Sequence, residues 1–413
     1  MCLLKKKENM SFNNLYKSVL SKDLCTSCGL CESVCPKDII KINSNTPKLL
    51  STTEEMQCGD CSLCYDVCPG FDPETPKSEM NIFGRRRTEK ERWLGIFRRT
   101  INGYSKDKEI YENSASGGCS TTSMLAAKEA LNLDYLIVAG RNPKKKWLGS
   151  PAIATNKEEI MVSTQSKYQL FPHLKGLKPY IKERANVRIG ISGLPCQVQA
   201  IRKLQALDHP VGEWARKHIL FVIEIACSSN TTFVGTETLI KDQLNLNPKD
   251  VEKVSYREGE YPGDFIVQDN KNVKHKINLW EAVREFKAFK THRCMSCGDW
   301  MSGLADVSFC DGDPNIFASS INPSAIDKQG KMVIRTEIGE KVINYAIDHN
   351  RLEYWEGEIK TMNLGLERKK NRRATYERLD CDISEPPIPG YLDEDEIVSD
   401  ERLLQISGSP KDK

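Results

Sequence analysis

The 413-residue sequence has no run of about 18 apolar residues, so nothing in it reads as a membrane-spanning helix. Met1 to Asn9 is short and lysine-rich and lacks the apolar stretch of a secretory leader, which predicts a cytoplasmic protein. Charge of one sign is scarce as well. Sixty lysines and arginines face 57 aspartates and glutamates, and the net +3 gives no case for nucleic-acid binding. Histidine is sparse at six residues, and His173, His209, His275 and His292 are scattered, so no side chain stands out as an acid-base catalyst. Local basic runs do exist at Arg85 to Arg87, Lys144 to Lys146 and Arg368 to Lys370 with Arg372 and Arg373. They could dock an acidic redox partner or a phosphorylated cofactor, but most such runs are solvated surface, and they stay unassigned.

Cysteine is what the chain has in quantity, 16 in all, and this number argues for a reducing compartment. Half of them fall in two runs, Cys25-x-x-Cys28-x-x-Cys31-x-x-x-Cys35-Pro36 and Cys58-x-x-Cys61-x-x-Cys64-x-x-x-Cys68-Pro69. Three cysteines at two-residue gaps wrap three corners of a 4Fe-4S cube, and the fourth, ahead of a proline that turns the chain, reaches the neighbouring cube. The expected ligand sets are therefore crossed: Cys25, Cys28, Cys31 and Cys68 on one cluster, and Cys58, Cys61, Cys64 and Cys35 on the other. Zinc sites use two separated pairs of ligands, and neither they nor a disulfide framework explains two identical runs that each end in proline.

The runs mark a small domain at residues 21–80 behind an N-terminal extension at 1–20. Between the runs, Ile39, Ile40, Ile42 and Lys48-Leu49-Leu50 read as the short strands of a repeated half-ferredoxin. A turn-rich exit at Asp72 to Pro76 leads to a connector at 81–100, a larger domain at 101–380 and a tail at 381–413 with an acidic stretch at Asp393 to Glu396. Within the larger domain, Tyr135 to Gly140, Val187 to Ser192 and Ile219 to Ala226 are short β-branched runs separated by helical stretches such as Ser120 to Leu131 and Gln197 to Leu207. That order predicts an α/β core of mixed or parallel strands.

Two turns sit where α/β proteins place ligands, between a strand and a helix. Ser114-Ala115-Ser116-Gly117-Gly118 precedes a helix, and its glycines would let backbone N–H groups approach a phosphate, though an ordinary helix cap has the same look. Gly193-Leu194-Pro195-Cys196-Gln197 repeats the arrangement and puts a cysteine at a helix start, while Cys227 ends the next strand. With the C-x-x-C at Cys294 and Cys297, these make four thiolates, enough for a third cube or for a tetrahedral zinc ion. Cys310 and Cys119 are possible substitutes in that set, whereas Cys2 and Cys381 read as incidental.

Taken together, Gly103-Tyr104, Ser114 to Gly118, Ser166-Lys167-Tyr168, Gly193 to Gln197, Cys294-x-x-Cys297, Ala305 to Ser308 and Val333 to Thr336 resemble the family of coenzyme F420 hydrogenase/dehydrogenase beta subunits, here fused to a dicluster ferredoxin domain. The resemblance implies an α+β ferredoxin-like dicluster domain followed by a larger α/β flavin-binding domain, with bound FAD and a nearby third 4Fe-4S cluster. It implies that Ser116, Gly117 and Gly118 line the flavin, that Lys167 and Tyr168 sit near it, and that Gly193 and Pro195 shape the turn beside it. The expected activity is electron exchange between a two-electron carrier, reduced coenzyme F420 or similar, and one-electron ferredoxin-type carriers. Two alternatives stay open: a ferredoxin-dependent flavin reductase of an organic substrate, and an electron-transfer component of a larger redox complex. Phe309-Cys310-Asp311-Gly312-Asp313 departs from the family pattern, because members often carry glycine after the Ala-Asp-Val-Ser stretch.

Overall fold

The structure is a computed structural model that describes residues 12–43, 45–50, 58, 61–70, 72–88, 91, 94–295, 297–312 and 328–357. The tail at 381–413, the basic run at 368–373, Cys2 and Cys381 lie outside the described residues. Thirteen strands occur among the described residues: β1 Ile40–Asn43, β2 Thr46–Leu49, β3 Arg99–Ser105, β4 Tyr135–Arg141, β5 Gly149–Ala154, β6 Ile189–Gly193, β7 Ile219–Ile225, β8 Val251–Glu258, β9 Asp264–Asp269, β10 Lys274–Asn278, β11 Val307–Asp311, β12 Gly330–Ile334 and β13 Leu352–Glu356.

Eight of them form one sheet in the order β13-β3-β12-β11-β7-β6-β4-β5. β4, β6, β7 and β11 are parallel neighbours, and β12 runs antiparallel between β11 and β3, so β3 points the same way as that group. β5 and β13 close the edges antiparallel. The sheet is mixed, and its central strands are apolar on both faces because helices cover both. On one face Leu136, Val138, Phe221, Ile223 and Met332 pack under the helices Cys119–Ala130 and Glu337–Asp348. On the other, Ile137, Ile191 and Val222 pack under the helices Pro195–Gln205 and Pro210–His218. Consecutive residues of one strand thus feed opposite cores, as a two-residue side-chain period requires.

A second sheet, β10-β9-β8, is inserted between β7 and β11 and carries an aromatic core of Tyr256, Phe265 and Phe286. It has no counterpart in the sequence reading. β10 alternates exposed and half-buried residues without a full apolar face, so its pattern is too weak to stand out.

The cysteine-rich region is built of short helices around the β1–β2 hairpin. Phe12 and Leu15 of the helix Phe12–Ser18, with Val19 after it, join Leu24, Ile39, Ile40 and Ile42 around Cys31, Cys35 and Cys64. This region is seated on the large sheet. Leu30, Val34, Leu63 and Val67 share one apolar cluster with Leu174, Leu177 and Ile181. The Leu174 N–H donates to the Cys28 carbonyl at 2.7 Å and the Ser33 hydroxyl to the Leu174 carbonyl at 3.0 Å. Gly29 makes the approach possible: its φ is +92°, and a Cβ there would stand 3.0 Å from Pro172 and from the Lys175 backbone. Glu32, fully enclosed, receives the Lys178 and Lys175 ammoniums at 3.0 and 3.1 Å. Full burial of Leu30 and Leu174 contributes about 1.5–3 kcal/mol each. Partly exposed ion pairs contribute about 0–1 kcal/mol, so apolar packing dominates the seat and the charges fix its register.

Candidate functional site

The carboxyl ends of β3, β4, β6, β7 and β11 all lie at one edge of the large sheet, which follows from the pairing directions above. Ligand sites of open α/β sheets lie outside such ends. Both turns singled out in the sequence are there, the Ser114–Gly118 turn after β3 and the Gly193–Cys196 turn after β6.

At the second turn, β6 ends at Gly193 and a helix starts with Pro195 in its first turn, where the missing proline N–H costs no hydrogen bond. The Gln197 side chain reaches back to accept the Leu194 N–H at 2.9 Å and holds the turn in shape. Cys196 then lines a cavity together with Cys227, Cys294 and Cys297. Cys227, just past β7, is tied by its N–H to the Trp300 carbonyl at 2.9 Å. Cys294 is on the short helix His292–Met295, and its N–H donates to the Thr291 carbonyl at 3.0 Å. The Asp299 N–H donates to the Cys297 sulfur at 3.3 Å. Four residues from three separate stretches of chain are gathered in one place. The substitutes are elsewhere: Cys119 donates its thiol to the Gly103 carbonyl at 3.0 Å, and Cys310 packs on β11 beside Trp300 and Val333.

Burial pushes the Cys196 thiol well up, the nearby Cys227 adds to this, and Arg293 opposes it. Thiolates in such a place need a cationic partner larger than one guanidinium, and the irons of a cluster would supply that charge. Four thiols around one cavity are the donor type a 4Fe-4S cube takes, although no group of three or more His, Cys, Asp or Glu among the described residues is drawn together closely enough to hold a single metal ion.

The first cysteine run behaves alike. Cys25, Cys28, Cys31 and Cys68 line one cavity. Burial, with Cys68 next in effect, pushes Cys25 up to about 12, and burial together with Cys28 raises Cys68 to about 11. Cys64 is raised to about 12 by burial and by Cys58, Cys61 and Cys35 around it. Cys68 thus shares a cavity with the first three cysteines, while Cys64 feels Cys58, Cys61, Cys35 and also Cys68. Cys61 is exposed. Thr26 lines both the Cys25 cavity and the Cys196 cavity, so these two neighbour each other.

At the first turn, Gly117 and Gly118 adopt φ of +77° and +78° ahead of the helix Cys119–Ala130. The Ser116 hydroxyl donates to Asp311, which also receives Arg257 Nη1 at 2.9 Å. Tyr168 stands edge-on to Tyr256 at 5.4 Å and to Phe286 at 6.2 Å. Burial raises its phenol, while Arg257 counteracts this, which puts it in the field of the same Arg257–Asp311 pair. Lys167 is half-buried. Its ammonium donates to the Ser163 and Thr164 carbonyls at 3.1 Å each, and desolvation, with Arg141 adding, lowers it to about 7. His173 Nε2 donates to the Ser192 carbonyl at 2.6 Å, next to Gly193, and burial keeps the ring neutral with a pKa of about 4. Lys167 lowers His173 further.

Sequence reasoning missed Thr26, Arg257, Arg293 and Asp311. Arg257 and Asp311 are distant in the chain and carry no local signal; Arg293 adjoins a C-x-x-C and was open to notice. Two basic runs are partly structural, since Arg87 pairs with the buried Glu79 at 2.5 Å and Lys146 pairs with Glu252.

Residues 100–178 match the N-terminal part, and residues 187–359 the C-terminal part, of the coenzyme F420 hydrogenase/dehydrogenase beta subunit. The chain belongs to that family. Residues 24–72 match a 4Fe-4S dicluster domain, so the chain joins a dicluster domain to the family's two-part unit and is an electron-transfer oxidoreductase. The coenzyme F420 hydrogenase subunit beta of Methanococcus voltae is 27% identical over 72% of this chain and 99% of that protein. A subunit of the F(420)H(2) dehydrogenase of Methanosarcina mazei is 23% identical over 80% of this chain and 84% of its own length. A chain of the F420-reducing [NiFe] hydrogenase complex from Methanosarcina barkeri superposes with a TM-score of 0.57 at 22% identity, over 73% of this chain and 98% of that one, and so shares the fold. No helix among the described residues is long and apolar enough to cross a membrane.

Proposed function

We propose that the chain is an iron-sulfur flavoprotein that exchanges electrons between a two-electron carrier, reduced coenzyme F420 or a similar donor, and one-electron ferredoxin-type carriers. The observation that carries this reading is the convergence at one sheet edge of the Cys196, Cys227, Cys294 and Cys297 cavity, with Thr26 shared between it and the Cys25, Cys28, Cys31 and Cys68 cavity. Bound FAD supplies conversion between a hydride and single electrons, and a 4Fe-4S cluster accepts one electron at a time. Each N-terminal cluster would take one of the crossed cysteine sets, and the four cysteines of the sheet edge would hold the third. On this reading residues 21–80 form the one-electron port and residues 101–380 the flavin-binding part.

Ser116, Gly117, Gly118, Tyr168, Gly193 and Pro195 would border the flavin. The two glycines free backbone N–H groups at a helix start for a phosphate. Arg257 and Asp311 hold Ser116 in place, and the Tyr168 ring, wedged against Tyr256 and Phe286, excludes water from that side. Lys167, whose ammonium donates to the carbonyls of residues 163–165, would sit beside the flavin next to Tyr168. Relatives that are themselves components of multi-chain enzymes favour action within a larger redox assembly.

The test is anaerobic addition of reduced F420, NADH, NADPH and reduced ferredoxin in turn to purified protein, following flavin and cluster absorbance. Reduced F420 is expected to bleach both bands, and ferredoxin to do so from the other end. Absence of turnover with reduced F420 in protein fully loaded with flavin would sink the reading.

A further inference from the structure

Among the residues lining the Cys196 cavity, Arg293 is the cation and Asp299 the carboxylate. Both are buried, with 2% and 5% of their surface exposed, so salt hardly screens them. Gln199 fixes the carboxylate with a hydrogen bond at 3.1 Å, and the backbone N–H of Asp299 is bound to Cys297. One guanidinium therefore faces the four cysteines of a cavity that shares Thr26 with the cavity of Cys25, Cys28, Cys31 and Cys68. A group bound by four thiolates gains negative charge on reduction, and a buried cation beside it favours the reduced form while a carboxylate disfavours it.

We propose that Arg293 raises the reduction potential of the group held by Cys196, Cys227, Cys294 and Cys297, and that Asp299 limits the rise. The inference rests on the reading of that cysteine set as a cluster site. Arg293 is no ligand; it acts through its charge on the group that the four cysteines hold.

The experiment compares full-length wild type, Arg293→Gln, Arg293→Lys and Asp299→Asn, each purified anaerobically, by iron and sulfide content and by redox titration followed with electron paramagnetic resonance. Arg293→Gln is expected to keep its iron and to shift the reduction equilibrium of one cluster about tenfold toward the oxidised form, about 59 mV for a one-electron couple. Arg293→Lys should stay near wild type, because the charge remains, and Asp299→Asn should shift the other way. The signal of the cluster on Cys58, Cys61, Cys64 and Cys35 should not move. Unchanged potentials in Arg293→Gln and Asp299→Asn with iron intact overturn the proposal and leave the cluster reading standing. If Arg293→Gln loses iron, the direction of the Asp299→Asn shift decides: upward supports the proposal, unchanged or downward overturns it. Wild-type protein with about eight irons rather than about twelve, at four per cube, removes the third cluster and the proposal with it.

Discussion

At the scale of single residues, the cysteines divide by what surrounds them rather than by exposure alone. Cys119 and Cys196 are both thiols pushed up by burial, to about 12 and well above the usual range, yet only Cys196 faces other thiols. Cys119 spends its hydrogen on a backbone carbonyl, as a small buried side chain does. The consequence is measurable. Cys196→Ser is expected to lower iron from about twelve to about eight per chain, while Cys119→Ser and Cys310→Ser leave it at about twelve. Loss of iron on replacing Cys310 would reassign the set.

At the scale of elements, the strand-turn-helix joints carry the site, and their geometry constrains them. Gly118 has φ +78°, and a Cβ there would come within 2.6 Å of Ile110 Cγ2. Gly118→Ala should therefore cost about 1–3 kcal/mol from the backbone conformation alone, with the contact adding to it. Thermal unfolding of the purified protein should show this as a clear fall in Tm, accompanied by reduced flavin content. Unchanged Tm would mean that the turn relaxes freely and cannot hold Ser116 against Asp311. The Leu194–Gln197 joint is different in kind: it is held by a side chain reaching back to a backbone N–H, so chemistry rather than a forced dihedral angle shapes it.

At the scale of the whole molecule, the cysteine-rich region must stay seated for the two cavities that share Thr26 to adjoin. Burial works against the charge of Glu32, but the Ile42 N–H and the ammoniums of Lys178 and Lys175 outweigh it and hold the carboxyl below its usual range. Asp38 is held low in the same way, against burial, by Lys178, Lys182 and Lys41. Depressed carboxyl values stabilise the seat above the unfolded pKa of about 4 and lose that stabilisation as pH falls through the lower folded values. Glu32→Gln is expected to cost about 1–3 kcal/mol at neutral pH. The Tm difference from wild type should persist to about pH 5 and shrink below it. A difference that widens toward acid would show that Glu32 folds with a raised pKa.

The two cysteine runs, their spacing and their closing prolines determined the dicluster domain from the sequence alone, because a cluster ligand set is a local pattern that needs no knowledge of the fold. The apolar strands at Tyr135, Ile189 and Ile219 and the family motifs were legible for a similar reason, since burial on both faces writes a continuous run. Strand ends differ by a residue or two: β6 spans Ile189–Gly193 where the pattern suggested Val187 to Ser192. What only the tertiary structure decided is which distant residues meet. It put Cys196, Cys227, Cys294 and Cys297 around one cavity, set Thr26 between that cavity and the first cysteine set, and brought Arg257 to Asp311 and Arg293 to the thiols. Those contacts depend on strand order and on how one region is seated on another, and neither leaves a periodic mark in the chain.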